Sequence, residues 1–130
     1  SLSQLRPSKL GEDISLPRAA IVPMVRRIQQ IAEEFGVLLP TFGHIGDGNL
    51  HPNLVFDPRD PAEVDRICRA AEALISSAVA MGGTLSGEHG IGLLKKEYLP
   101  LALPAQNLEL YRRIKAVFDP QGLMNPGKVF

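Results

Sequence analysis

Residues 60–83 constrain this chain more than any other stretch. Val64, Ile67, Cys68, Ala71, Leu74, Ile75, Ala78 and Val79 recur at the three- and four-residue intervals that line up on one face of a helix. Asp60 precedes Pro61, so its carboxylate is placed to accept from free backbone N–H groups while proline occupies the first turn. Gly82-Gly83 ends the run. The pattern predicts a helix to Met81 whose apolar stripe must be covered by another element. Cys68, the single cysteine, falls in that stripe; it has no partner for an internal disulfide, and buried packing is its expected role.

The rest of the chain supplies the cover. Ile21, Val25, Ile28, Ile31, Ala32 and Phe35 form a second helical face closed by Gly36, where a left-handed C-cap belongs. Residues 12–16 alternate apolar Ile14 and Leu16 with polar Asp13 and Ser15, a short strand ended by Pro17. Residues 37–42 and 49–56 are β-type runs joined by the glycine-rich residues 43–48, a hairpin, and residues 84–86 suit a last strand. A short helix is expected over residues 91–99. Another, opened by Pro104, is expected over residues 105–118 with Leu108, Tyr111, Ile114 and Phe118 inward, and Asp119-Pro120 stops it. The order β-α-β-β-α-β predicts an α+β fold, a ferredoxin-like split βαβ antiparallel sheet with extra C-terminal helices. Residues 1–11 lack periodicity and suggest a loose segment belonging to something that precedes it; residues 12–130 are expected to form one domain around one core.

Fourteen basic and fourteen acidic residues cancel, which argues against nucleic acid as a partner. No apolar run approaches the roughly 20 residues of a membrane span, and the expected location is the cytoplasm.

All three histidines sit in two glycine-rich segments, G-H-I-G-D-G-N-L-H (residues 43–51) and S-G-E-H-G-I-G (residues 86–92). Glycines let backbone approach a ligand closely, so polar side chains between them are often aimed at a site. His44 and His51, one on each side of the hairpin turn, can face each other within reach of one ion, and Glu88 is the best third ligand. Two imidazoles and a carboxylate suit zinc, manganese or ferrous iron with positions left for substrate. His89, beside Glu88, is a candidate general base. Asn49, His51 and Asn53 alternate along one strand and share a face, so an amide can orient a carboxylate near the metal. Plainer alternatives stand beside each of these. Single histidines often satisfy strand ends, an acid in a loop is often solvated, Asp47 reads best as a turn residue, and Lys128 reads best as a solvated terminal charge.

The segments D-I-S-L-P (residues 13–17), H-I-G-D-G-N-L-H-P-N (residues 44–53), S-G-E-H-G-I-G and the closing N-P-G-K (residues 125–128) resemble, in that order, the C-terminal domain of FAD-linked oxidases. That group contains glycolate oxidase flavoprotein subunits, D-lactate dehydrogenases and D-2-hydroxyglutarate dehydrogenases. The resemblance implies that His44, His51 and Glu88 bind a divalent metal, zinc or manganese. It places Asn53 and His89 on a small 2-hydroxy-acid substrate, with His89 as base. In the families it resembles FAD lies on a separate preceding domain, and this chain has neither the length nor a G-x-G-x-x-G phosphate loop to replace it; Asn49 is the cofactor-binding candidate within this chain. The implied reaction is oxidation of a glycolate- or D-lactate-like substrate to a 2-oxo acid with hydride passing to FAD. The electron acceptor is left unspecified, and the isolated chain is expected to be inactive. Similar enzymes for dicarboxylic substrates carry a lysine two residues before the aspartate of the first strand, where this chain has Gly11 with Lys9 displaced. A surface that covers flavin should be apolar, so pairing of isolated chains into a homodimer is a further expectation. The competing classes are a metal-dependent hydrolase, although H-E-x-x-H is absent, and a non-catalytic scaffold module.

Overall fold

The computed structural model describes residues 6–130, which fall into two compact units, the first ending at Glu88 and the second covering His89–Phe130. The single core expected over residues 12–130 is confined to the first unit. In the second, Leu99 and Leu108 are the buried apolar side chains among the described residues, too few for a core of its own.

The first unit is built on β4 (Asn49–Phe56). Along one edge run β1 (Ser8–Gly11) and β2 (Ile14–Ser15), both antiparallel to it. Ser8 faces Phe56, Gly11 faces Asn53 and Ile14 faces Leu50, while the Glu12 N–H donates to the Pro52 carbonyl at 2.8 Å. The two pieces therefore share one register and act as one long strand. Residues 1–5 lie outside the described residues, but Ser8–Gly11 is not the loose segment suggested by its composition. Its ladder is made by backbone groups, which side-chain periodicity does not report.

On the other edge, β3 (Thr41–His44) pairs Phe42 with His51 and His44 with Asn49, which completes the predicted hairpin. The strand expected over residues 37–42 is displaced because Pro40 has no N–H to give. Leu38 makes only a bridge to Val55, and regular pairing starts at Thr41. The hairpin turns through a 3-10 segment, Ile45–Asp47, and Gly48 at φ 81°. A side chain at Gly48 would meet the Leu16 carbonyl oxygen at 2.2 Å, and the same backbone approach lets the Leu16 N–H donate to the Gly48 carbonyl at 2.9 Å. Thr84 bridges Ser15 on the far edge, so the rows run Thr84, β1 with β2, β4, β3, the split βαβ order.

Two helices cover one face of this sheet. α1 (Ile21–Phe35) ends on Gly36 in the left-handed region, and α2 (Pro61–Ala80) begins on Asp60, whose carboxylate accepts from the Ala62 and Glu63 N–H groups. They pack on each other, and Met24, Ile28, Ile31, Ile67, Ala70, Ala71, Leu74 and Ala78 enclose Ile14, Leu16, Leu50 and Leu54. Burial of each such leucine or isoleucine contributes roughly 1.5–3 kcal/mol. The helix faces are turned slightly from the sequence expectation. Met24 is fully buried in place of Val25, and Cys68 is exposed. At about 100° per residue, Cys68 lies a quarter-turn round from Ile67 and past the margin of the buried arc.

The second unit opens irregularly, with Gly92 at φ 57°, and becomes helical only at Lys96–Tyr98 and α3 (Leu99–Ala102), later than the predicted residues 91–99. Pro100 fits the first turn of α3. α4 (Ala105–Phe118) has the predicted bounds but not the predicted face. Leu108 is buried, whereas Tyr111, Ile114 and Phe118 are exposed. Among the described residues, no helix is long and apolar enough to cross a membrane.

Candidate metal centre

Alternation along β4 sends Leu50 and Leu54 into the core and Asn49, His51 and Asn53 to the opposite face. His44, at the end of β3, joins that face opposite Asn49. The His44 and His51 rings meet edge-on with centroids 5.5 Å apart, and Phe42 flanks His51 at 6.0 Å. Glu88 arrives from the loop after Thr84. Its Oε1 lies 3.2 Å from His51 Nε2 and 3.7 Å from His44 Nε2.

One donor atom from each of His44, His51 and Glu88 lies within 4.8 Å of the others. Ligands held at 2.0–2.1 Å around a tetrahedral ion stand about 3.3 Å from each other, so the donors fit a divalent cation with little movement. His51 is largely enclosed, at 10% side-chain exposure, while His44 and Glu88 are more than half exposed. That asymmetry leaves an accessible side on which a further ligand can bind.

Glu88 is not left to a free loop. Asp13, fully buried between β1 and β2, accepts with Oδ2 from the Ser86 hydroxyl at 2.7 Å, the Gly87 N–H at 2.9 Å and the Glu88 N–H at 2.8 Å. These bonds divert the chain from the sheet, so the strand expected over residues 84–86 shrinks to the single Thr84 bridge. Asp13 Oδ1 faces His51 Nδ1 at 3.8 Å. Alternation alone marks Asp13 as an ordinary polar strand residue. An acid on the polar face of a strand otherwise built for burial was the signal available.

Of the other predicted residues, Asn53 is buried and its amide nitrogen donates to the His51 carbonyl at 2.8 Å. Asn49 is buried against Gly87, where any side chain would come within 2.8 Å of its amide, and its Oδ1 has no hydrogen-bond partner among the described residues. His89 is exposed, follows Glu88 directly and opens the second unit. In that unit Lys128 donates to Asn125 Oδ1 at 3.1 Å.

An α+β unit with two histidines and a glutamate converging on the sheet face opposite its two helices defines the class of the domain. Residues 1–129 match the family of FAD linked oxidases, C-terminal domain, and the chain belongs to it. It is similar to glycolate oxidase subunit GlcD of Bacillus subtilis, 40% identical over 130 residues, all of this chain and 28% of the relative. D-lactate dehydrogenase of Archaeoglobus fulgidus is 43% identical over 118 residues, 90% of this chain and 26% of the relative. D-2-hydroxyglutarate dehydrogenase of Stutzerimonas stutzeri is 36% identical over 134 residues, all of this chain and 28% of the relative. The chain thus spans about a quarter of the length of these relatives.

Proposed function

We propose that this chain is the substrate-capping, metal-binding part of a flavin-dependent dehydrogenase that oxidises a small 2-hydroxy acid to the 2-oxo acid. The observation that carries the reading is the convergence of His44, His51 and Glu88 at ligand spacing on an accessible face. His44, His51 and Glu88 would hold zinc or manganese, which would supply a Lewis acid for the substrate's carboxylate and α-hydroxyl. FAD, held by an upstream domain, supplies the two-electron acceptor. His89 takes the hydroxyl proton as the hydrogen on the same carbon leaves as hydride, which balances the conversion of alcohol to ketone. Asn53 contributes to the substrate side, and the Asn49 amide, with its unbonded oxygen, to the cofactor side.

Glycolate- or D-lactate-sized substrates fit better than dicarboxylic ones. Gly11 pairs with Asn53 on the site face of the sheet, at the position where the similar dicarboxylate enzymes carry lysine, and the cation of this strand, Lys9, is displaced by two residues to the position opposite Val55. Self-association of isolated chains belongs to the same reading and is supported by the exposed apolar stripe of α4.

The test is metal content by mass spectrometry on untagged protein, beside His51→Ala and Glu88→Ala. Near one zinc or manganese per chain, lost in both variants, is expected. An intact chain that stays metal-free after loading with either ion removes the metal-assisted part of the reading.

A further inference from the structure

We infer that Asp13 is the positioning residue of the metal centre, a buried carboxylate that holds two of the three ligands from behind. The inference rests on the metal reading above and extends it to a residue which that reading does not use.

The geometry is unusual for a structural aspartate. A carboxylate taken fully out of water is costly unless several hydrogen bonds replace its hydration. Asp13 is 0% exposed, and a single oxygen, Oδ2, collects the Ser86 hydroxyl and the Gly87 and Glu88 N–H groups. Bonds of this charge-assisted kind are about twice as strong as neutral ones. All three donors come from the turn that delivers Glu88, more than seventy residues away in sequence. The backbone of Glu88 is thereby anchored while its own carboxylate, half exposed, reaches His51 Nε2 and His44 Nε2.

The second oxygen of Asp13 points the other way. The shared register of β1 and β2 places Asp13 opposite His51, and Oδ1 stands 3.8 Å from Nδ1 of that ring, longer than a hydrogen bond. A small shift of the ring brings Nδ1–H into donating range and leaves Nε2, the atom beside Glu88, with its lone pair for an ion. A carboxylate behind a ligating histidine fixes the ring's tautomer and direction. One side chain thus sets both the turn carrying Glu88 and the orientation of His51.

The experiment measures zinc affinity by calorimetry on the 130-residue chain, Asp13→Asn and Ser86→Ala, together with amide hydrogen exchange on the metal-free parent. Asp13→Asn keeps the shape but loses the charge, and zinc binding about 10- to 100-fold weaker is expected. Ser86→Ala removes one donor and leaves both backbone bonds, so affinity should stay within about fivefold of the parent. In the parent, the Gly87 and Glu88 amides should exchange slowly although both residues are exposed. Asp13→Asn binding zinc as the parent does overturns the inference. If that variant does not fold, the parent's amides decide, and unprotected Gly87 and Glu88 overturn it. A parent that binds no zinc while protecting those amides sinks the metal reading itself, leaving Asp13 as the clasp of a turn.

Discussion

The two units spend their apolar residues in opposite ways. In the first, Ile14, Met24, Ile31, Leu54 and Leu74 are completely enclosed, whereas in the second, Leu110, Ile114, Val117 and Phe118 line one side of α4 in contact with solvent. The second unit is held instead by polar bonds. Asp119 accepts from the Leu123 N–H at 2.8 Å and the Met124 N–H at 3.0 Å and pairs with Lys115, whose ammonium also donates to the Met124 carbonyl. A 42-residue unit running from His89 to Phe130 cannot bury enough surface to rely on a core, and specific hydrogen bonds take over its shape.

That contrast breaks or sharpens under substitution. The largest effect is expected for Leu54→Ala, which empties a site sealed on all sides and should lower unfolding stability by about 2–5 kcal/mol in urea titration. Leu108→Ala, in the second unit, should cost less than about 2 kcal/mol; equal losses would erase the difference between the units. Next comes acid. Ion pairing with Lys115 and the two backbone N–H groups hold the Asp119 carboxyl below its usual 3.8 in the folded state. Its contribution is therefore complete above that value and is lost as pH falls through the lowered folded pKa. Amide signals of Leu123 and Met124 should keep their protection at pH 3.8 and lose it only on further acidification, and Asp119→Asn should show that loose state already at neutral pH. A smaller change is expected for Asp60→Ala, about 1 kcal/mol from loss of the α2 cap, read as a lower thermal midpoint. Smallest of all, Cys68→Ser should move stability by under about 0.5 kcal/mol, and the native thiol should react with a thiol reagent without prior unfolding.

Helix limits were legible because short local signals set them: Asp60 with Pro61, Gly36 in the left-handed region, and Asp119 after Phe118. Which face a helix buries was less so. Periodicity reports that α4 is amphipathic, but the direction of its stripe depends on what lies against it, and Tyr111, Ile114 and Phe118 stay exposed. The meeting of His44 and His51 followed from hairpin and alternation, both local. Glu88 was placed by its glycine-rich setting, and the carboxylate that anchors it was not singled out, since Asp13 meets Ser86, Gly87 and Glu88 only after the distant edges of the sheet are joined.

Core and candidate metal centre are two sides of the same strands. On the edge strand Asp13 alternates with Ile14, and on β4 His51 alternates with Leu50. Deleting or inserting one residue near Glu12 would trade the sides, sending isoleucine toward the histidines and aspartate among leucines. Such a chain could not keep a sound interior around a ruined centre, since both would fail at the same step. Length changes along these strands should therefore be tolerated only in pairs of residues, while the turn at Ile45–Asp47 is free of that parity.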